Sequence, residues 1–248
     1  MATNFSTKEH SSNKERDMRK YFYDLFKNSP IPENELLSNL GLYINRQTLS
    51  RQLFMHELYK KIINVHGVIM EFGVRWGQNL ALFENFRGIY EPFNYNRKII
   101  GFDTFGGFPS VTSLDKGLKK GDYSVTENYE LYLEKVLDYH ESESPVSHIR
   151  KYELVKGDAT VTLKDYLENN PHTIIALAYF DFDIYEPTKE CLKLIKNHIT
   201  KGTIIGFDEL NVSDFPGETI ALKEVLELSS YRIQRLPISP LQSYIEII

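Results

Sequence analysis

The sequence predicts an α/β fold: a mostly parallel, seven-stranded sheet with helices on both faces, a C-terminal antiparallel hairpin and an N-terminal helical extension. Three observations predict it. From residue 65 on, five short apolar runs alternate with helical stretches, the pattern of successive βαβ units. Right-handed crossovers between parallel strands put the intervening helices on both faces. The last two apolar runs, 231–236 and 243–248, are joined by a proline-containing turn with no helix between them, so they pair antiparallel.

In chain order, the polar residues 1 to about 15 are expected to be disordered or loosely attached. Apolar and aromatic residues then recur at helical spacing from Asp17 to Phe26, and NSPIPENE breaks the pattern with two prolines. Thr48 to Val65 is an amphipathic helix with Leu49, Leu53, Leu58, Ile62 and Ile63 near one face. The five strands are GVIMEFG (67–73), KIIGFD (98–103), YELVKGD (152–158), TIIALAYFD (173–181) and GTIIGFDE (202–209). Helices are expected over 78–89, 128–139, 163–169, 185–197 and 219–228. Residues 1–64 form a tail and helical extension acting as a lid or an interface, and 65–248 form one domain. Five βα units followed by a terminal hairpin is the layout of the Rossmann-like class I methyltransferase sheet.

Composition excludes several classes. The chain has 248 residues, 42% hydrophobic and 25% charged, which suits one soluble domain. No apolar run of about eighteen residues could span a membrane. The polar N-terminus lacks a signal-peptide core. A single cysteine, Cys191, allows no intrachain disulfide. Together these point to the cytoplasm. With 29 Lys and Arg against 34 Asp and Glu, the net charge is −5, which argues against a nucleic-acid binder.

All five parallel strands end in acid: Glu71, Asp103, Asp158, Asp181 and Asp208–Glu209. Ligands of open α/β sheets bind beyond the carboxyl ends of the strands, so five acids there imply a shared ligand crevice. The first strand supplies E-F-G-V-R-W-G, with Gly73 and Gly77 around a strand-to-helix turn where backbone approaches a ligand closely. This is not the dinucleotide fingerprint, which disfavours a nicotinamide dehydrogenase. Glu71 before the turn suits a ligand carrying an ammonium group, and S-adenosylmethionine carries both an amine and a sulfonium. Asp103 is placed to accept from two ribose hydroxyls, with Thr104 and Phe105 beside it in the cofactor site. Asp158 either borders the adenine or starts a helix. Trp76 either stacks near the methionine tail or plugs the core.

The blocks IMEFGVRWGQNL, IIGFDTFGGFP, LVKGD, YFDFDIYEPTKECL and IIGFDEL, between Val65 and Glu209, resemble the macrocin O-methyltransferase (TylF-like) family in order and spacing. The resemblance implies methylation of a hydroxyl by S-adenosylmethionine, with a sugar or glycosylated natural product as small-molecule acceptor, and a divalent metal, magnesium or manganese. By this resemblance Asp181 matches the aspartate that ligates metal and serves as general base, and Asp208 and Glu209 match an adjacent metal-binding pair. Converging carboxylates with no His-Cys cluster nearby agree, favouring a hard ion over zinc. The chain departs from the family at Glu209, where Asp or Asn is usual. Asp183 is either an acceptor behind the site or the cap of the helix starting near Tyr185. A homo-oligomer is expected. The rival readings are metal-independent methylation of an amine or carboxylate, and an S-adenosylmethionine-binding protein without turnover.

Overall fold

Side-chain alternation along the strands decides which helices cover which face. The computed structural model describes residues 11–248. Its strands are β1 (Val68–Phe72), β2 (Ile99–Asp103), β3 (Tyr152–Lys156), β4 (Ile175–Phe180), β5 (Ile199–Phe207), β6 (Gln234–Arg235) and β7 (Ser243–Glu246), in one sheet ordered β3-β2-β1-β4-β5-β7-β6. β1 to β5 are parallel, and β7 pairs antiparallel with both β5 and β6. On one face Ile69, Leu177 and Ile204 pack with α3 (Arg46–Ile62), α4 (Gln78–Tyr90) and α5 (Tyr129–Ser142). On the other, Met70, Ala178 and Ile205 pack with α6 (Ala159–Asn169), α7 (Tyr185–Ile195) and α8 (Gly217–Val225). The expected Rossmann-like fold is therefore the observed one. Cys191 is buried in the second core, as its mid-helix position among leucines implies.

Four phenylalanines level the strand ends. Phe102, Phe72, Phe180 and Phe207 close β2, β1, β4 and β5 in matched register. Their rings stack in a row with centroids 5.3, 4.6 and 5.5 Å apart. The residue after each ring is Asp103, Gly73, Asp181 or Asp208, so a hydrophobic floor holds these four residues at one height. β1 lies between β2 and β4, at the point where the strand order reverses and a crevice opens.

Three boundaries differ from expectation. The first helix, α1 (Asn13–Lys27), starts earlier than Asp17 because Ser12 and Glu15 form a reciprocal capping box. Residues 11–15 are thus ordered into a helix start, while 1–10 lie outside the described residues. α6 begins at Ala159 because Asp158 caps it. α3, assigned from sequence to the extension, belongs to the core: Phe54, Met55, Leu58, Tyr59 and Ile62 are fully buried. The remaining extension is α1, a short helix α2 (Glu33–Leu36) and a 3-10 segment over Leu37–Tyr43, none with a buried residue.

On α4, the buried Glu84 carboxyl has no hydrogen-bond partner on either oxygen. Burial pushes its pKa up to about 8, with Glu141 and Asp138 adding to the rise and Arg87 and Lys151 opposing it. A carboxyl whose folded pKa is raised disfavours folding as it ionises, so stability should decline from the unfolded value near 4.5 up to about pH 8. Glu84→Gln should flatten that decline, adding on the order of a few kcal/mol of stability at pH 8, where the melting temperature should rise most. Melting curves from pH 5 to 9 on both proteins check this.

Candidate functional site

A cavity of about 460 Å³ opens above the phenylalanine row, lined by the loops after β1 to β5 and by Arg51 from α3. Among the residues read from sequence, Gly73, Asp103, Thr104, Asp158, Asp181, Asp183, Asp208 and Glu209 line it. Glu71, Gly77 and Phe105 stand behind it. No histidine lines it among the described residues.

The turn after β1 is set by contact and by charge. Gly73 has φ +93°, and a Cβ there would lie 2.0 Å from the Asp181 carbonyl oxygen. Only glycine lets the ends of β1 and β4 come this close. Gly77 starts α4 with φ +77°, packed so tightly that a Cβ would meet Leu133 at 2.4 Å; its role is helix packing. The Asp103 carboxylate holds the turn from the side. Its Oδ2 accepts the Val74 and Arg75 amides at 2.7 and 2.8 Å, and its Oδ1 accepts the Phe105 amide at 2.6 Å. Burial raises the Asp103 pKa against these three bonds. A carboxylate offers about four acceptor sites, so about one is left. Three backbone amides thus occupy much of the carboxylate that was expected to receive two ribose hydroxyls.

Behind the turn, Glu71 Oε1 accepts from Asn79 Nδ2 at 2.7 Å, while Glu71 Oε2 and Asn79 Oδ1 are buried without partners. Burial holds the Glu71 pKa well above the carboxylate range. Two unfilled acceptors, one on the lining residue Asn79, suit a ligand that brings N–H donors. Thr104 Oγ1 donates to the Gly107 carbonyl at 2.6 Å and fixes the loop after β2. Phe105 turns into the core instead of the cavity, with φ +55°. Asp158 caps α6 through the Thr160 amide at 3.0 Å while also facing the cavity. Trp76 is 41% exposed at the cavity and meets Tyr129 edge-on at 4.8 Å, so it is not a core plug.

The two aspartates of F-D-F-D diverge. Asp181 follows β4, its amide bonded to the Phe72 carbonyl at 2.8 Å and its side chain 24% exposed to the cavity. Its Oδ2 accepts from Arg51 Nη2 at 2.5 Å. Asp208 follows β5, and its Oδ1 accepts from Arg51 Nη1 at 2.7 Å, Tyr179 Oη at 2.6 Å and Gln242 Nε2 at 3.0 Å. Burial first, and then the Asp208 charge, raise the Asp181 pKa well above the usual range despite Arg51. Asp183 does not cap α7; the side chain does not reach that helix end, because φ +61° turns it toward Glu209. The cap comes from the loop between β2 and α5: buried Asp115 Oδ1 accepts the Tyr185 amide at 2.7 Å, and its Oδ2 accepts from Thr112. Asp115→Ala should cost about 1–2 kcal/mol in a melting experiment and weaken acceptor binding more than cofactor binding, since this loop carries the lining residues Phe108 and Tyr123.

The expected metal set is not gathered. Among the described residues, no group of three or more His, Cys, Asp or Glu is placed to hold an ion. The physical reason is local. Arg51 bridges Asp181 and Asp208, and Glu209 turns to Asp183, its own pKa pushed up by burial and by that partner. Glu218, fully buried on α8, steadies both loops by accepting the Phe182 and Glu209 amides, each at 3.2 Å. The residues present in this arrangement therefore do not fit the metal.

Sequence reasoning missed Arg51, Gln242, Tyr179, Asp115 and Glu218. Arg51, Tyr179 and Glu218 reach the site from elements whose own pattern signals only packing, and Gln242 and Asp115 from loops without a repeating pattern.

Fold and crevice together define a class I methyltransferase. No family model matches the chain, and no curated protein does. Among solved structures, the chain is 42% identical to CalS11, a calicheamicin methyltransferase, over 99% of both chains with a TM-score of 0.93. An apo structure of CalS11, there called TDP-rhamnose 3'-O-methyltransferase, matches at 42% identity over 96% of both chains with a TM-score of 0.86. The O-methyltransferase NovP, at 18% identity over 80% of each chain and a TM-score of 0.63, shares the fold. The chain belongs to the CalS11 family and is an S-adenosylmethionine-dependent O-methyltransferase. No helix among the described residues is long and apolar enough to cross a membrane.

Proposed function

We propose that this enzyme methylates a hydroxyl of a sugar, carried on a nucleotide or on a glycosylated natural product. The observation that carries the reading is the Asp181 carboxylate. It stands in the cavity between the Gly73 turn and Asp208, where an acceptor hydroxyl would meet the cofactor. The CalS11 likeness over nearly the whole chain supports a sugar acceptor. The D-T-F-x-G-F-P and D-x-D-x-Y-E-x-T blocks both reach the cavity, which supports placing the chain near the macrocin O-methyltransferases.

When bound, S-adenosylmethionine supplies an electrophilic methyl on its sulfonium. Glu71 and Asn79, each with a buried acceptor left without a partner, would hold its ammonium. Gly73 would let the backbone approach it, and Asp103 and Asp158, which line the cavity, would hold its nucleoside end. Asp181 removes the proton of the acceptor hydroxyl as the oxygen attacks, a contribution of about 10²–10⁴-fold. Arg51 and the floor of phenylalanines hold Asp181 in place, and fixing the two reactants supplies much of the remaining acceleration.

The exposed Met18, Tyr21 and Tyr23 of α1 and the exposed Leu37 and Leu42 after it support a role for the N-terminal arm in self-association. Removing residues 1–45 should then lower the oligomeric mass or turnover more than cofactor affinity, measured by light scattering and calorimetry.

The test of the function is a screen of nucleotide-linked sugars and free glycosides with methyl-labelled S-adenosylmethionine. A labelled methyl ether on a sugar is expected. Label on an amine or carboxylate, or no label in any sugar, would overturn the reading.

A further inference from the structure

Acids and cations are unequally shared around the cavity. Among the described residues six acids line it against two cations, Arg51 and Arg75. Arg51 is taken up by Asp181 and Asp208. Arg75, on the turn after β1, is exposed, and among the described residues it makes no ion pair and no side-chain hydrogen bond. We propose that Arg75 is an anion-recognising residue of the acceptor site, and that it takes a phosphate of a nucleotide-linked sugar. The proposal rests on the sugar-methylating reading and narrows it to a phosphate-bearing acceptor.

The side chain is fixed in place from two sides. Arg75 holds φ +49°, a left-handed conformation that residues other than glycine seldom adopt. The Asp103 carboxylate keeps it there by accepting the Arg75 amide at 2.8 Å. The guanidinium then lies over the Tyr123 ring, 4.7 Å from its centroid. Such a contact orients the charge without using its N–H donors. Tyr123 is left-handed as well, with φ +62°, and its ring meets Phe108 edge-on at 5.3 Å. Backbone closes the neck of this loop. The Phe108 amide donates to the Asp122 carbonyl at 3.1 Å, and the Gly121 amide donates to the Phe108 carbonyl at 3.0 Å. Left-handed residues held by several bonds in this way collect at ligand sites.

Charge decides which ligand group comes here. Carboxylates at the strand ends repel a phosphate and suit the hydroxyls of a sugar. A phosphate is favoured beside the unpaired guanidinium, whose planar fork matches two phosphate oxygens at once. The Arg75 charge reaches the acids that flank Asp181: burial raises the Asp183 pKa, and Glu209, Arg51 and Arg75 oppose the rise. The loop that brings Phe108 and Tyr123 to the cavity extends the positive charge outward. Its Lys116, Lys119 and Lys120 are exposed and make no ion pair among the described residues. In a chain of net charge −5, these lysines and Arg75 give an acidic cavity a basic border.

Calorimetry with thymidine diphosphate, on full-length protein saturated with S-adenosylhomocysteine, tests this without methyl transfer. Thymidine diphosphate should bind the wild type, and Arg75→Gln should weaken it by about tenfold or more, the usual loss when hydrogen bonds to a charged group vanish. Affinity for S-adenosylhomocysteine alone should change by less than about twofold, as for a site that shares no partner with the substitution. Arg75→Lys keeps a charge but loses the fork and the ring contact, so a loss of about threefold or more is expected there. No binding of thymidine diphosphate to the wild type, or equal binding by Arg75→Gln, would overturn the proposal. A loss of S-adenosylhomocysteine affinity as large as the loss for thymidine diphosphate would also overturn it, and would assign Arg75 to the cofactor carboxylate. Should Arg75→Gln fail to fold, Arg75→Lys decides, and unchanged affinity in that variant would contradict the proposal. Failure here, with a labelled methyl ether still formed on a sugar, would strike Arg75 alone; failure of methyl transfer to every sugar is read separately in the acceptor screen.

Discussion

Asp181→Asn should lower turnover by about 10²-fold or more while leaving affinity for S-adenosylhomocysteine within about twofold. The loss is the usual cost of removing a general base. The amide is nearly the same shape, so the cavity and the Phe72–Asp181 backbone bond should survive. Because the side chain meets Arg51 on one oxygen only, the variant still offers Arg51 a carbonyl acceptor. The pH dependence gives a second reading. Only ionised Asp181 can accept the proton, and burial with the Asp208 charge raises its pKa. The rate should therefore rise with pH along a limb above the ordinary carboxylate value of about 4, and Asp181→Asn should lose that limb. Steady-state kinetics from pH 5 to 9, with calorimetry on both proteins, checks both parts. Full activity in the variant would remove Asp181 from the chemistry.

Gly73→Ala should be the most damaging change that adds only a methyl group. The new Cβ would lie 2.0 Å from the Asp181 carbonyl oxygen and 2.7 Å from its carbonyl carbon, which is backbone and cannot turn away. The position also holds φ +93°, where a side chain costs about 1–3 kcal/mol in strain. Relief requires the ends of β1 and β4 to separate, which moves Asp181 and disturbs the amides that Asp103 holds. Affinity for S-adenosylhomocysteine should fall by at least tenfold and the melting temperature should drop clearly. Calorimetry and thermal melts measure these. Gly77→Ala makes a useful contrast. Its clash is with the flexible Leu133 side chain, so stability should suffer more than the shape of the cavity.

Much of the fold was legible because the strands are short, apolar and regularly separated by amphipathic helices. The five acids were legible for the same reason: each lies within two residues of the end of its strand. The phenylalanine before four of the loops was equally visible in EFG, GFD, FDF and GFD, and it explains why the acids share one level. Charge pairing was not legible. Arg51 lies one hundred and thirty residues before Asp181, in a helix whose period speaks only of core packing. Gln242 comes from a hairpin loop, and Asp115 from a loop without a repeating pattern. The carboxylates at 181 and 208 did need a cation, as their closeness implied, but only tertiary structure could show that a guanidinium fills the place. Of the two readings open for Asp183, the cap rested only on adjacency to a helix start, which is a local signal. The positive φ of Asp183, which turns it to Glu209, is set by the surrounding loops.

The most direct test of sugar O-methylation at Asp181 is a single-turnover reaction of the wild type and Asp181→Asn with methyl-labelled S-adenosylmethionine and TDP-rhamnose, the acceptor of CalS11. Mass spectrometry of the fragmented product locates the label. One labelled methyl on a sugar oxygen in the wild type, with little or none in the variant, is the predicted result. Label outside the sugar, no transfer to this or any related sugar nucleotide or glycoside, or equal transfer by the variant would contradict it.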